Sequence, residues 1–337
     1  MATPRPSRNT SSKTLRIDGK PLAARQADVE ALDRLKAEIK YLSDQNRLLH
    51  RALAAKATPP RILRAVPARR AKASRHADRI RAIIADTHGS AMDPIAAGVV
   101  IADFKQLQPR EIVHLGDGVD CGGFLAQHHT LGYVAETEYC YDDDIATANG
   151  FLDDLQNACT PEEFDWIEGN HERRVETWCV TQTLRHRRDC ERLRQAFAPE
   201  FLLHLKSRGI RYYRQGEFYG CRTPGTIRKG KCYFWHGSST ARHAATVNLS
   251  AIGGNVVFGH THRQQGDSAV PVAQGDIGAW NPGCLCRQQP LWNHTRPSQW
   301  TIGYAIQIVS PTGNFLHINV RIVNGKSLLT PLLHLKP

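Results

Sequence analysis

VVFGHTHR, residues 256–263, carries an apolar β-branched run into a glycine and then two histidines two positions apart. The run reads as a buried strand, and Gly259 as the turn that ends it. Side chains two apart at the end of an extended segment share a side, so His260 and His262 can act jointly. With 16 histidines in 337 residues, one such pair decides little without partners. Four other stretches repeat the design: RIRAIIADTHG (79–89), EIVHLGDGVD (111–120), FDWIEGNHE (164–172) and KCYFWHGSS (231–239). Each is a short apolar strand ending in polar residues, with helical stretches between them near 94–107, 144–158, 172–205 and 240–251. This alternation is an α/β signature, and in such sheets the site lies at the carboxyl ends of the strands. TIGYAIQIVS (301–310) and FLHINVRIV (315–323), separated by PTGN, read as a late antiparallel hairpin that closes a second sheet.

The strand ends collect one kind of chemistry. Asp86 with His88, Asp117 with Asp120, Asn170 with His171, His236, and His260 with His262 offer carboxylate or amide oxygens mixed with imidazole nitrogens. That donor set suits Mn, Fe or Zn rather than Ca or a thiolate site. One cation could not use them all, whereas two sharing a bridging carboxylate could, and such pairs sit about 3.5–4 Å apart in phosphate-ester hydrolases.

The order D-x-H (Asp86 to His88), G-D-x-x-D (Gly116 to Asp120), G-N-H-E (Gly169 to Glu172), His236 and G-H-T-H (Gly259 to His262) resembles the calcineurin-like metallophosphoesterases over roughly residues 79–320. The resemblance implies a four-layer α/β/β/α sandwich with a dinuclear centre at the sheet ends, holding two divalent or trivalent ions, Mn before Fe or Zn. It implies that Asp86, His88 and His262 bind the first metal, that Asn170, His236 and His260 bind the second, and that Asp117 bridges. A metal-bound hydroxide would then attack phosphorus, with His171 as the general acid and Asp120 orienting and charging it.

The pattern also departs from the family. Cys121 stands where the protein Ser/Thr phosphatase branch has a phosphate-binding arginine, which leaves Arg173, Arg174, Arg242 and Arg263 as substitutes close to the motifs. Cys121 reads as a packing residue. Cys284 and Cys286 lack a second pair and do not read as a structural zinc site. EYCYDDD (138–144) reads as a helix start or solvated loop. The nine scattered cysteines fit reduced thiols.

The net charge of +12 is unevenly spread: residues 1–80 hold 19 Lys/Arg against 7 Asp/Glu, and the rest holds 25 of each. Four regions are expected: a disordered basic tail over 1–21, a helix over 22–56, a basic linker over 57–78 and the metallophosphoesterase domain over 79–337. Within the helix, Leu32, Leu35, Ile39, Leu42, Asn46, Leu49 and Leu53 form an a/d seam, so residues 29–53 are expected to make a homodimeric coiled coil or to lie as an amphipathic helix on the domain. A basic arm over 1–80 attracts nucleic acid through its phosphates. No apolar run of 18 residues and no secretory signal are present, so a cytoplasmic protein without a membrane partner is expected.

The leading expectation is a metal-dependent phosphoesterase for mono- or diesters. The alternatives are a nuclease recruited to DNA or RNA by the basic arm, and a non-catalytic scaffold or nucleic-acid-binding protein that keeps the fold.

Overall fold

The computed structural model describes residues 16–17, 20–21, 36, 40, 77–122, 140–183, 187–271, 275–289 and 298–329. The chain divides into two compact units, 1–63 and 64–337. In the first, Arg16–Ile17 pairs antiparallel with Lys20–Pro21, and Lys36 and Lys40 are helical and exposed. The heptad seam from Leu32 to Leu53 and nearly all of the basic tail and linker lie outside the described residues.

In the second unit, β1 (Arg79–Ile84), β2 (Glu111–His114), β3 (Glu163–Ile167) and β4 (Ile210–Tyr213) run parallel in that order. They are connected through α1 (Pro94–Leu107), α2 (Tyr141–Ala158), α3 (Asn170–Gln182), α4 (Arg187–Phe197) and α5 (Pro199–Leu202). Asp93 caps α1 by accepting from the amides of Ile95 and Ala96, with Pro94 in the first turn, where its missing N–H costs nothing. A second sheet has the order β8 (Gln265–Ala269), β9 (Ile277–Asn281), β7 (Val256–Phe258), β6 (Cys232–Trp235), β5 (Ile227–Lys229), and α6 (Ala244–Ile252) packs on it.

The late hairpin forms as expected, β10 (Gly303–Val309) against β11 (Phe315–Val323), with β12 (Lys326–Ser327) beyond. Its place differs from the expectation: it extends the first sheet, because β10 pairs antiparallel with β1, Ile306 opposite Ala82. The parallel run from β1 to β4 leaves one edge of β1 unpaired. The alternation of β10 suits that edge, with Tyr304 and Ile306 joining the helical side and Ala305 the other face.

Burial on both faces explains why these strands read as near-continuous apolar runs. Ala82, Ile84, Ile112, Phe164 and Trp166 face the core under α1 and α2, while Ile83, Ala85, Val113, Leu115 and Ile167, with Ala305 of β10, meet Phe234 and Val257 of the second sheet. Trp235, Val256, Phe258 and Ala279 turn the other way, onto Ala244, Ala245 and Leu249 of α6. The result is four layers, helix, sheet, sheet and helix. Where the strands begin, Arg81 is wholly buried between the sheets and donates to Glu111 at 2.6 Å and to Gln307 at 2.8 Å. Among the described residues no helix is long and apolar enough to cross a membrane.

Candidate metal centre

All five polar clusters lie at the other end of the strands, where the chain leaves the sheets. The exits share a backbone device: Asp86, His88, Asp117, His260 and His262 have φ of 53°, 54°, 52°, 71° and 55°. A side chain in this left-handed region costs of order 1–2 kcal/mol, and the bonds around it must hold it there. They do so in pairs. The Asp86 amide donates to the Gly116 carbonyl and the His88 amide to the Asp117 carbonyl, both at 3.0 Å, and the His260 amide donates to the Asp86 carboxylate at 3.0–3.1 Å.

These turns bring the side chains together. One atom from each of Asp86, His88, Asp117 and His262 lies within 4.8 Å of the others, and the same holds for Asp117, His236 and His260. Asp117 belongs to both groups. Asn170 joins the second, its Oδ1 lying 2.9 Å from His236 Nε2, which is itself 3.2 Å from Asp117 Oδ2. Nε2 atoms of His88 and His262 face each other at 3.1 Å, and His262 Nε2 lies 3.4 Å from Asp86 Oδ1. All are buried except Asn170 and His260, which are partly exposed.

His236 shows what the arrangement wants. Its Nδ1 lies 2.8 Å from the Leu115 carbonyl, which can only accept, so Nδ1 carries a hydrogen. In the neutral ring, Nε2 then turns a lone pair toward the oxygens of Asp117 and Asn170. A cation between them removes the conflict, whether a proton or a metal. Burial opposes charging, yet Asp117 and Asp86 prevail and push His236 up to about 9. The His262 imidazole is likewise pushed up to about 9, by Asp86 against its burial. His260 moves down to about 4 through burial and the neighbouring His236, and His88 also moves down through burial and His171. Against their burial, the imidazoles hold Asp86 and Asp117 below the usual carboxylate range. Such mixed oxygen and nitrogen donors fit Mn, Fe or Zn.

His171 and Asp120 sit beside this cluster. His171 Nδ1 is 2.7 Å from the Asp120 carbonyl and 3.2 Å from Asp120 Oδ1, which also lies 3.1 Å from His88 Nδ1. His171 Nε2 points inward, 3.8 Å from Asp117 Oδ2. Burial disfavours its charge, but Asp117 and Asp120 together raise its pKa above the ordinary value. Of the four arginines read from sequence, only Arg174 reaches the cluster, donating to the Asp120 carbonyl at 3.1 Å and meeting His171 Nε2 at 3.1 Å. Arg173 and Arg242 are exposed, and Arg263 donates to the carbonyls of Thr240 and Ala241.

Four positions that sequence reasoning passed over brace the site. Glu172 accepts three loop amides, those of Asp117, Gly118 and Gly169, and burial with Asp117 nearby raises its carboxyl to about 7. Asp144, read only as part of a helix start, is buried and accepts from the amides of Ser90, Asp120 and Cys121. Asn281 donates to the Gly259 carbonyl at 2.7 Å and to Thr261 Oγ1 at 3.0 Å, fixing the GHTH turn. Cys286 places Sγ 3.7 Å from Nδ1 of His262, on the side away from Asp86. Only Glu172 carried a sequence signal, its place in G-N-H-E.

No protein-family model and no curated protein matches the chain. Solved structures do. It is similar to a metallophosphoesterase from Sphaerobacter thermophilus, 18% identical over 72% of this chain and 88% of that one, with a TM-score of 0.35. It is also similar to the phosphoesterase YfcE from E. coli, at 14% over 71% and 98% with a TM-score of 0.33. Vps29 from Entamoeba histolytica follows at 10% over 74% and 95%, with a TM-score of 0.35. Two sheets face to face between helical layers, with the five ordered motifs gathered at one end of their strands, give this chain the calcineurin-like metallophosphoesterase fold.

Proposed function

We propose that the chain is a metal-dependent phosphoesterase acting on phosphate mono- or diesters. The observation that carries this reading is Asp117, a buried carboxylate common to two adjoining donor groups. Asp86, His88 and His262 would hold one cation, Asn170, His236 and His260 a second, and Asp117 both. Mn is the preferred ion, before Fe or Zn. Bound there, such ions supply Lewis-acid charge for phosphoryl oxygens and acidify water. The protein's own part is positional and protonic. Asp120 anchors Nδ1 of His171, leaving Nε2 on the inner side to carry the proton that a leaving alkoxide needs.

The test is Mn-dependent turnover of bis(p-nitrophenyl) phosphate and p-nitrophenyl phosphate by the full-length protein, with Asp117→Asn as the blank. Turnover that the variant lacks, together with metal well below two per chain in that variant, is the expected result. Full activity in Asp117→Asn removes the dinuclear reading.

A nuclease is the second reading, favoured by the concentration of the whole +12 excess in residues 1–80. Phosphate contacts from that arm would recruit DNA or RNA, and a pairing of residues 29–53 would present two arms. Salt-dependent binding to nucleic acid, lost on deletion of residues 1–60, is its signature.

A further inference from the structure

Arg174 stands apart from the other charged groups of the site. It lies one turn along α3 from His171, on the same helix face, and is half-buried. Its guanidinium donates to the Asp120 carbonyl at 3.1 Å, and Nη2 lies 3.1 Å from His171 Nε2. Neither partner is an anion. Among the described residues no carboxylate lies within ion-pair distance of it, whereas the half-buried guanidiniums of Arg208 and Arg214 are each paired with one; Arg263 also lacks a carboxylate, but its donors are taken up by Gln299 and by the carbonyls of Thr240 and Ala241. A guanidinium withdrawn from water with only neutral acceptors is one whose charge is unmatched, and five donors in a plane match a phosphoryl group two oxygens at a time.

We propose that Arg174 is the oxyanion-binding residue of the site, taking one or two non-bridging oxygens of a phosphoester. The inference rests on the phosphoesterase reading and adds to it the residue that holds the substrate. Its position supports the assignment. His171 Nε2 is 3.8 Å from Asp117 Oδ2 and 3.1 Å from Arg174 Nη2, so the guanidinium and the shared carboxylate approach the same ring nitrogen. Cys121, next to the carbonyl that Arg174 holds, is buried and offers no charge. When an anion enters, the N–H that now meets His171 Nε2 turns to a phosphoryl oxygen, and the same oxygen can accept from the imidazole. Two donors that cannot face each other are then joined through one acceptor.

The experiment uses the full-length, Mn-loaded protein and reads inhibition by inorganic phosphate alongside turnover of p-nitrophenyl phosphate. Arg174→Ala is expected to raise both the inhibition constant for phosphate and KM by about 10- to 100-fold, the effect of losing one charge-assisted hydrogen bond. Arg174→Lys, which keeps the charge without the fork, is expected to recover part of that loss. Metal content should stay near two per chain in both, and Arg173→Ala, an exposed neighbour, should behave as wild type. An unchanged phosphate inhibition constant in a folded Arg174→Ala or Arg174→Lys protein overturns the proposal while leaving the phosphoesterase reading intact. Wild-type protein that neither turns over ester nor binds phosphate removes both.

Discussion

Glu172 and Asp117 meet through the backbone: Glu172 Oε2 accepts the Asp117 amide at 3.0 Å, and Oε1 accepts the next amide, that of Gly118, at 2.6 Å. The side chain of an α3 residue thus fixes the turn that aims the shared carboxylate. A carboxylate offers only acceptors here, and an amide in its place would press an NH2 group against backbone N–H. Glu172→Gln is therefore expected to cost about 2–4 kcal/mol and to lower bound metal. Urea unfolding and elemental analysis check this, and an unchanged midpoint with full metal loading would sink it.

Asp144 does for the neighbouring loops what Glu172 does for this one. It gathers the amides of Ser90, Asp120 and Cys121, so it ties the end of β1 to the residue that contacts His171. Asp144→Asn leaves at least one of those amides facing a donor. A loss of about 1–3 kcal/mol in stability is expected, with a fall in kcat larger than the change in metal content. Equal loss of both would show that the residue acts on folding alone.

His114, which is not itself assigned as a metal donor, sets a pH dependence of its own. It is fully buried, stacked on Trp166 at 3.9 Å, and accepts the Gly116 amide at Nδ1. Burial outweighs Asp86 and Asp117 and lowers its pKa to about 3. The unfolded chain protonates near the ordinary value of about 6.5, so between these limits the unfolded state binds more protons. Its contribution is complete above about pH 6.5 and is lost as the pH falls toward 3, by up to about 1.4 kcal/mol per pH unit. His114→Gln should flatten this slope, and unfolding curves for the two proteins that stay parallel from pH 7 to pH 4 would refute the assignment.

Cys286 touches the outer nitrogen of His262. Partners on that side orient a ligating imidazole and tune its basicity. Cys286→Ala should weaken retention of one metal by about 10-fold and leave the other unchanged, giving two distinct steps in a chelator titration. A single step at the wild-type position would count against it.

The strand ends were legible in the sequence because each couples an apolar run to side chains with one chemistry, and both signals are local. Ala82, Ile84 and Ile112 alternate with Ile83 and Val113 across a sheet covered on both faces, so the runs announced themselves. The braces did not. Asp144 acts on amides 23 to 54 residues away, and Asn281 acts on a turn 20 residues before it, through backbone groups that every sequence possesses. The sheet chosen by the late hairpin was equally hidden. Its alternation fits any edge with a core on both faces, and only the spare edge of β1 decides. Arg174 could be named among four arginines but not chosen, because the choice depends on which helix face meets His171.

Five side chains of the centre occupy backbone positions that glycine would fill with less strain. Replacing His88 or His260 by glycine should relieve on the order of 1 kcal/mol locally while removing a donor. The relief is local, since loss of the buried His88 would also open a cavity and take one imidazole partner from Asp120. Asp86, His88, Asp117, His260 and His262 thus hold their donors at a standing local cost, in turns that the bonds between neighbouring loops keep closed.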